Sequence, residues 1–293
     1  MWWNAARNAT TPVAVIFFHI GKCGGGSIMQ WLRKSPGFTL RLDYTRSRLF
    51  IALHQDLFTD IHAPWELNGG KTRVGRRPHW RSTSVAVEYH AGAQRIFWQH
   101  VHGVLPRLRE RYASAGGRLV MLTTVRDPAS MIVSWYRQWP PRLPNRSISA
   151  FEPWLANASG LLTRALAFVR GSARIWHTTR VPFFDCSADA VALARTRLLQ
   201  TFDVVGDVSD VGWTLRKLVG CLEWPQAWLP PTPPHVRYLG GSREFTYRET
   251  ADLARIRSHL ERAASCDSTV YEAVRGGWCR CAKPFVKRRV ITM

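Results

Sequence analysis

Long apolar runs are missing from this sequence: no stretch approaches the roughly 18 residues of a spanning helix, so any membrane anchor would lie outside the chain as given. The opening MWWNAARNATTP lacks the basic, apolar and small-residue succession of a signal peptide. Cysteine is sparse. Cys23, Cys186, Cys221, Cys266, Cys279 and Cys281 are too dispersed for a dense disulfide scaffold, although Cys266 with Cys279 or Cys281 would close a small loop. CRC at 279–281 has no second pair nearby, which makes it a poor metal site. Acids are scarce too: 20 Asp and Glu stand against 41 Lys and Arg in 293 residues, a formal charge of +21 with histidines neutral. Such a field concentrates anions, so nucleic acid, acidic polysaccharide, anionic membrane and phosphorylated cofactors all suit it. Charge alone does not choose among them, nor does it exclude a merely solvated basic surface.

No internal repeat and no linker divide the chain, and 46% hydrophobic content is enough for a sizeable core. One large α/β domain is therefore the default. VAVIFFHI (13–20) is β-branched and aromatic and ends at glycine, as a buried parallel strand does. SIMQWLRK then sets Ile28, Trp31 and Leu32 at helical spacing. Residues 39–83 read as basic loops around a weak second strand or helix. SVAVEYH (84–90) alternates as a strand, 95–112 is helix-like with Pro106 as a kink, and RLVMLTTV (118–125) is a third buried strand. RDPASMIVSWYRQW opens a helix with proline, where the missing N–H costs nothing. Further on, FEPWLANASGLLTRALAFVRG and WTLRKLVGCLEW suggest helices and FDVVGD (202–207) a short strand. WLPPTPPHVRYLGG is an extended loop. TYRETADLARIRSHLERAAS, capped near Thr246, and CDSTVYEAVRGGW read as two closing helices. Alternating strands and helices predict a parallel sheet with helices on both faces.

A strand that ends in a glycine-rich bend and starts a helix aims several backbone amides and a positive helix end at one point. Here Gly24, Gly25 and Gly26 let the backbone come close, Lys22 adds a full charge and Ser27 a hydroxyl. The nucleotide triphosphatase loop needs lysine after the glycines and directly before the magnesium-serving hydroxyl, whereas Lys22 precedes them. G-x-G-x-x-G also fails, because Met29 stands where its last glycine belongs. What remains is a phosphate-type cradle without a magnesium pattern.

FFHIGKCGGGS resembles the F-x-H-I-P-K-[TC]-G-G-T-S phosphosulfate loop of carbohydrate sulfotransferases that use 3′-phosphoadenosine 5′-phosphosulfate (PAPS), of the heparan sulfate 2-O-sulfotransferase kind. Three more stretches agree in order. TTVRDPASMIVSWY is similar to the segment in which an arginine and a serine, here Arg126 and Ser134, hold the 3′-phosphate. FDVVGDVSDVGWTLRKL and DSTVYEAV resemble the two segments that close the domain, so the likeness spans 13–275, leaving 1–12 and 276–293 as tails. Gly21 replaces the family's proline and Gly26 its threonine. The basic residue after RDP and the glutamate of the later segment are missing.

The resemblance implies a three-layer P-loop-like α/β fold, sulfuryl transfer without a metal, a cofactor cradle of Lys22, Cys23, Gly24, Gly25, Gly26 and Ser27, and a Golgi or secretory setting. Asn8, Asn145 and Asn157 would be glycosylation acceptors there. Lys22 would stabilise charge on the departing diphosphate. An acceptor hydroxyl needs a general base, and VAVEYH puts Glu88 and His90 on one face at the end of a strand. His90 is the candidate base, with Glu88 its orienter or itself the base. His100 and His102 compete, and a helix over 95–112 would turn at most one of them to the site. His19, inside the apolar strand, reads as structural, fixing the turn.

RLDYTRSR, KTRVGRRPHWR and KPFVKRR suit an acidic glycan acceptor, a neutral glycan remaining open, and some of the 14 tryptophans could stack on sugar rings. Two rivals stand: a P-loop nucleotide kinase-like transferase, which shares the cradle, and a non-enzymatic basic binder of glycan or nucleic acid. The second leaves the ordered pair of loop and Arg-x7-Ser unexplained, and no nucleic-acid-binding signature is visible.

Overall fold

The structure, a computed structural model, describes residues 11–38, 40–42, 84–90, 94–138, 155, 159–167, 186–232 and 250–281. KTRVGRRPHWR, KPFVKRR, the three sequons, Thr246, most of RLDYTRSR and the proline-rich stretch beyond residue 232 lie outside those residues.

Strand β1 (Val13–His19) is buried on both faces. Val13, Val15 and Phe17 enter one apolar cluster and Ala14, Ile16 and Phe18 the other, which is why its sequence is a continuous apolar run instead of an alternation. Full burial of each large side chain contributes about 1.5–3 kcal/mol. β1 pairs in parallel with β3 (Val85–His90) on one side and β4 (Arg118–Val125) on the other. β2 (Leu40–Leu42) extends the sheet beyond β3, and β5 (Val204–Asp207) extends it beyond β4, both parallel. The two-residue β6 (Trp278–Cys279) closes the β5 edge antiparallel, giving the order β2-β3-β1-β4-β5-β6.

Helices cover both faces, as expected. α1 (Gly25–Lys34) and α7 (Val211–Cys221) bury Ile28, Trp31, Leu32, Leu215 and Leu218 against one face. α2 (Gln94–Gly103), α3 (Leu105–Ser114), α4 (Pro128–Gln138), α5 (Leu161–Ala167), α6 (Ala188–Thr201) and α8 (Thr250–Glu272) pack on the other. The chain leaves β1 toward one face and leaves β3 and β4 toward the other. That reversal opens a crevice at the carboxyl end of β1, where open α/β sheets bind ligands.

Five expectations need correction. Pro106 does not kink one helix: it sits in the first turn of α3, where no N–H is needed, and the break falls at Val104. The two closing helices are one continuous α8, with no breaker in RAASCDSTVYE to part them. Residues 188–201, left unassigned by the sequence, form α6, and its signal was Ser187, whose hydroxyl accepts from Ala190 N at 3.2 Å. The described fold also runs past 275, because β6 pairs with β5 and Cys281 is bonded to Cys221. Cys266 pairs with Cys186, not with Cys279 or Cys281, which lie at the far sheet edge.

Candidate active site

The bend after β1 is tight. Cys23 N donates to Ile20 O at 3.2 Å, and both Lys22 and Gly24 take left-handed backbone angles, φ 67° and 74°. Gly24 adopts this freely, whereas a lysine there costs about 1 kcal/mol or more. Such a cost persists only where surrounding contacts impose it. Three consecutive carbonyls impose it: Trp135 Nε1 donates to Gly21 O at 3.3 Å, Arg126 Nη1 to Lys22 O at 3.3 Å, and Thr124 Oγ1 to Cys23 O. With these oxygens drawn toward β4 and α4, the planar trans peptides send the amides of Lys22 and Gly24 the opposite way.

The glycines are sterically required. A Cβ on Gly24 would lie 2.6 Å from Val208 Cγ2, and one on Gly25 would overlap the His19 ring. Gly24 is the N-cap of α1, with no side-chain cap, and the first turn holds no acid, so the positive helix end remains available to an anion. Gly26 and Ser27 lie in that first turn, Ser27 buried. Cys23 contributes backbone only: its thiol points into the core and donates to Met131 Sδ at 3.7 Å, and burial pushes its pKa up.

Two cations meet at this loop. Burial, reinforced by the Arg126 charge and opposed by Cys23, lowers the pKa of Lys22 below that of a free lysine. Arg126 stands just past β4, and its buried Nε has no hydrogen-bond partner among the described residues. A buried donor without a partner is rare, and a negatively charged ligand would satisfy it. Ser134 is half-buried, two turns into α4, whose N-terminus is capped by Asp127 through Ser130 N at 2.8 Å.

On β3, Glu88 and His90 do share the face expected of them, together with His19 of β1, which faces them in register: Phe17 beside Glu88 and His19 beside His90. The partner of Glu88 differs from the expectation. Its carboxylate Oε1 hydrogen-bonds His19 Nδ1 at 2.7 Å, while the His90 ring stands edge-on to the His19 ring at 4.8 Å. His19 also stacks on Phe17 at 5.4 Å and presses against Gly25. The turn-fixing part read for His19 is thus a Glu88–His19 pair lodged under the loop. Burial first, and the His19 charge second, lower the pKa of His90 against the opposing pull of Glu88. The shift favours the neutral imidazole, the form able to take a proton.

His100 and His102 sit elsewhere. His100 Nδ1 is 2.7 Å from the hydroxyl of Tyr89, which alternates to the opposite face of β3 from Glu88 and His90. His102 is exposed, its ring stacked on Trp98 in that same opposite cluster.

Residue chemistry alone did not single out Asp207 at the end of β5. Burial pushes its pKa up, but donation from Ser209 N, Tyr271 OH, Ser209 Oγ and Gly276 N outweighs this and holds it below the usual carboxylate range. The network anchors the residue preceding Val208, the side chain that meets Gly24. A buried acid at a strand end followed by Ser209 was the available signal. No protein-family model and no curated protein matches the sequence.

Proposed function

We propose that this chain is a sulfotransferase that moves a sulfuryl group from PAPS to an acceptor hydroxyl on a glycan. The observation that carries the reading is the convergence of Lys22 and Arg126 on an uncapped helix start, with an Arg126 donor left over. The residues suit a phosphosulfate: α1 starts at Gly24 with no side-chain cap and no acid in its first turn, and the buried Arg126 Nε asks for an anionic acceptor. The sheet order, with β1 central and its glycine loop at the carboxyl edge, fits a P-loop-like fold. The disulfides Cys186–Cys266 and Cys221–Cys281 suit an oxidising, secretory compartment such as the Golgi lumen.

PAPS, when bound, supplies the activated sulfuryl group and a diphosphate leaving group. Lys22 and the amides of Gly24–Ser27 would hold the phosphosulfate, and Arg126 with Ser134 the 3′-phosphate. The Lys22 ammonium stabilises negative charge that builds at the loop as the reaction proceeds, an electrostatic contribution that requires the lysine protonated. His90, neutral and on the same sheet edge, takes the acceptor's proton. Glu88 holds His19, and His19 holds both the loop and the His90 ring, so the pair positions the base and the cradle together.

Calorimetry with 3′,5′-adenosine diphosphate tests the donor site, and labelled sulfate transfer to glycan, sterol and tyrosine-peptide panels tests the reaction. Magnesium-independent binding that Arg126→Ala weakens tenfold or more supports the assignment. Absence of binding refutes it, and a preference for magnesium-bound adenosine triphosphate would favour the kinase-like alternative.

A further inference from the structure

A second cluster of reactive groups lies at the opposite end of the sheet order, on the β6 edge. Cys279 ends β6 and Cys281 follows it past a bend at Arg280, with both sulfurs brought to the side of Cys221. Arg280 between them points away and is pinned: its guanidinium donates to Leu199 O at 2.9 Å, to Phe202 O at 3.3 Å and to Gln200 O, and its amide to Asp203 O at 2.8 Å. Both sulfurs are thereby presented to Cys221 at the end of α7. Cys221 is bonded to Cys281, Cys279 Sγ lies 3.7 Å from Cys221 Sγ, and all three sulfurs lie within 4.8 Å of one another. Cys279 is a free, half-buried thiol, whereas Cys281 is exposed.

We propose that Cys221, Cys279 and Cys281 form a thiol–disulfide relay that moves a free thiol from Cys279 to the surface position Cys281, making Cys281 a modification site for electrophiles and small disulfides. Cys279 gives its proton to solvent and its thiolate attacks Cys221 Sγ. The Cys221–Cys281 bond breaks, the Cys221–Cys279 bond forms, and Cys281 leaves as a thiolate that takes up a proton. One disulfide and one thiol stand on each side, so no oxidant or reductant is consumed. Cys23, the other free thiol, is buried at the glycine loop and takes no part.

Native protein is treated with N-ethylmaleimide over a time course at neutral pH, quenched in acid and mapped by peptide mass spectrometry. The relay predicts label divided between Cys279 and Cys281, each labelled form carrying the complementary disulfide. In Cys281→Ser oxidised with glutathione disulfide, which takes up the two electrons, a Cys221–Cys279 bond should form and leave both unlabelled. Label confined to Cys279 in the wild-type protein overturns the proposal, and that measurement needs no variant. So does Cys281→Ser labelled at both Cys221 and Cys279, or a zinc ion found on the three thiolates by native mass spectrometry, since such a site leaves no disulfide to exchange.

Discussion

Lys22 carries two opposed physical demands. Its charge suits the anion cradle, yet its left-handed backbone and its cationic neighbour Arg126 both disfavour a lysine there. Replacement by glycine removes a backbone cost of about 1 kcal/mol against roughly 0.5 kcal/mol of added chain entropy. Lys22→Gly should therefore keep or raise the midpoint of thermal unfolding while affinity for 3′,5′-adenosine diphosphate falls at least tenfold. A lower midpoint with unchanged affinity would make Lys22 a packing residue. His90 gives a second residue-scale prediction. Its folded pKa lies below its unfolded one, so its contribution to stability is full above the unfolded value and is lost as pH falls through the folded value. Urea unfolding from about pH 8 down to about pH 5 should show a loss in the wild type that is smaller in His90→Gln. Equal slopes for the two proteins would contradict the assignment.

Between elements, the residues of DSTVYEAV serve the frame. Asp267 of α8 is fully enclosed and accepts from Leu162 N at 2.9 Å, Thr163 N at 2.8 Å and Thr163 Oγ1 at 2.7 Å, so it caps α5 across 104 residues of chain. Tyr271, one turn on, donates to Asp207 and ties α8 to the end of β5. Asp267→Ala strands two helix-start amides and a hydroxyl in the core, and should cost about 3 kcal/mol or more. Asp267→Asn keeps an acceptor oxygen and should recover part of that loss in urea denaturation. Asn as harmful as Ala would mean that the negative charge, through Arg164, outweighs the hydrogen bonds.

For the molecule as a whole, the longest covalent constraint is Cys186–Cys266, which closes a separation of 80 residues between the start of α6 and the middle of α8. Chain entropy assigns such a loop about 4 kcal/mol. The double variant Cys186→Ala with Cys266→Ala should lower the urea midpoint accordingly and leave the loop after β1 able to bind 3′,5′-adenosine diphosphate, since neither cysteine touches that end of the sheet. An unchanged midpoint would show that α6 and α8 hold together by packing alone.

The sequence by itself determined the strands β1, β3 and β4, the glycine bend and the placing of Glu88 and His90 on one face. Each follows from a local rule: burial on both faces, left-handed turn geometry, the two-residue period of a strand. A period tells which face a side chain takes but not what stands beside it. That Glu88 meets His19, that three loop carbonyls are tied to β4 and α4, and that Cys221 chooses between Cys279 and Cys281 depend on the register of segments 58 to 114 residues apart. Only the tertiary structure sets that register, because the packing of two apolar cores decides which strands become neighbours.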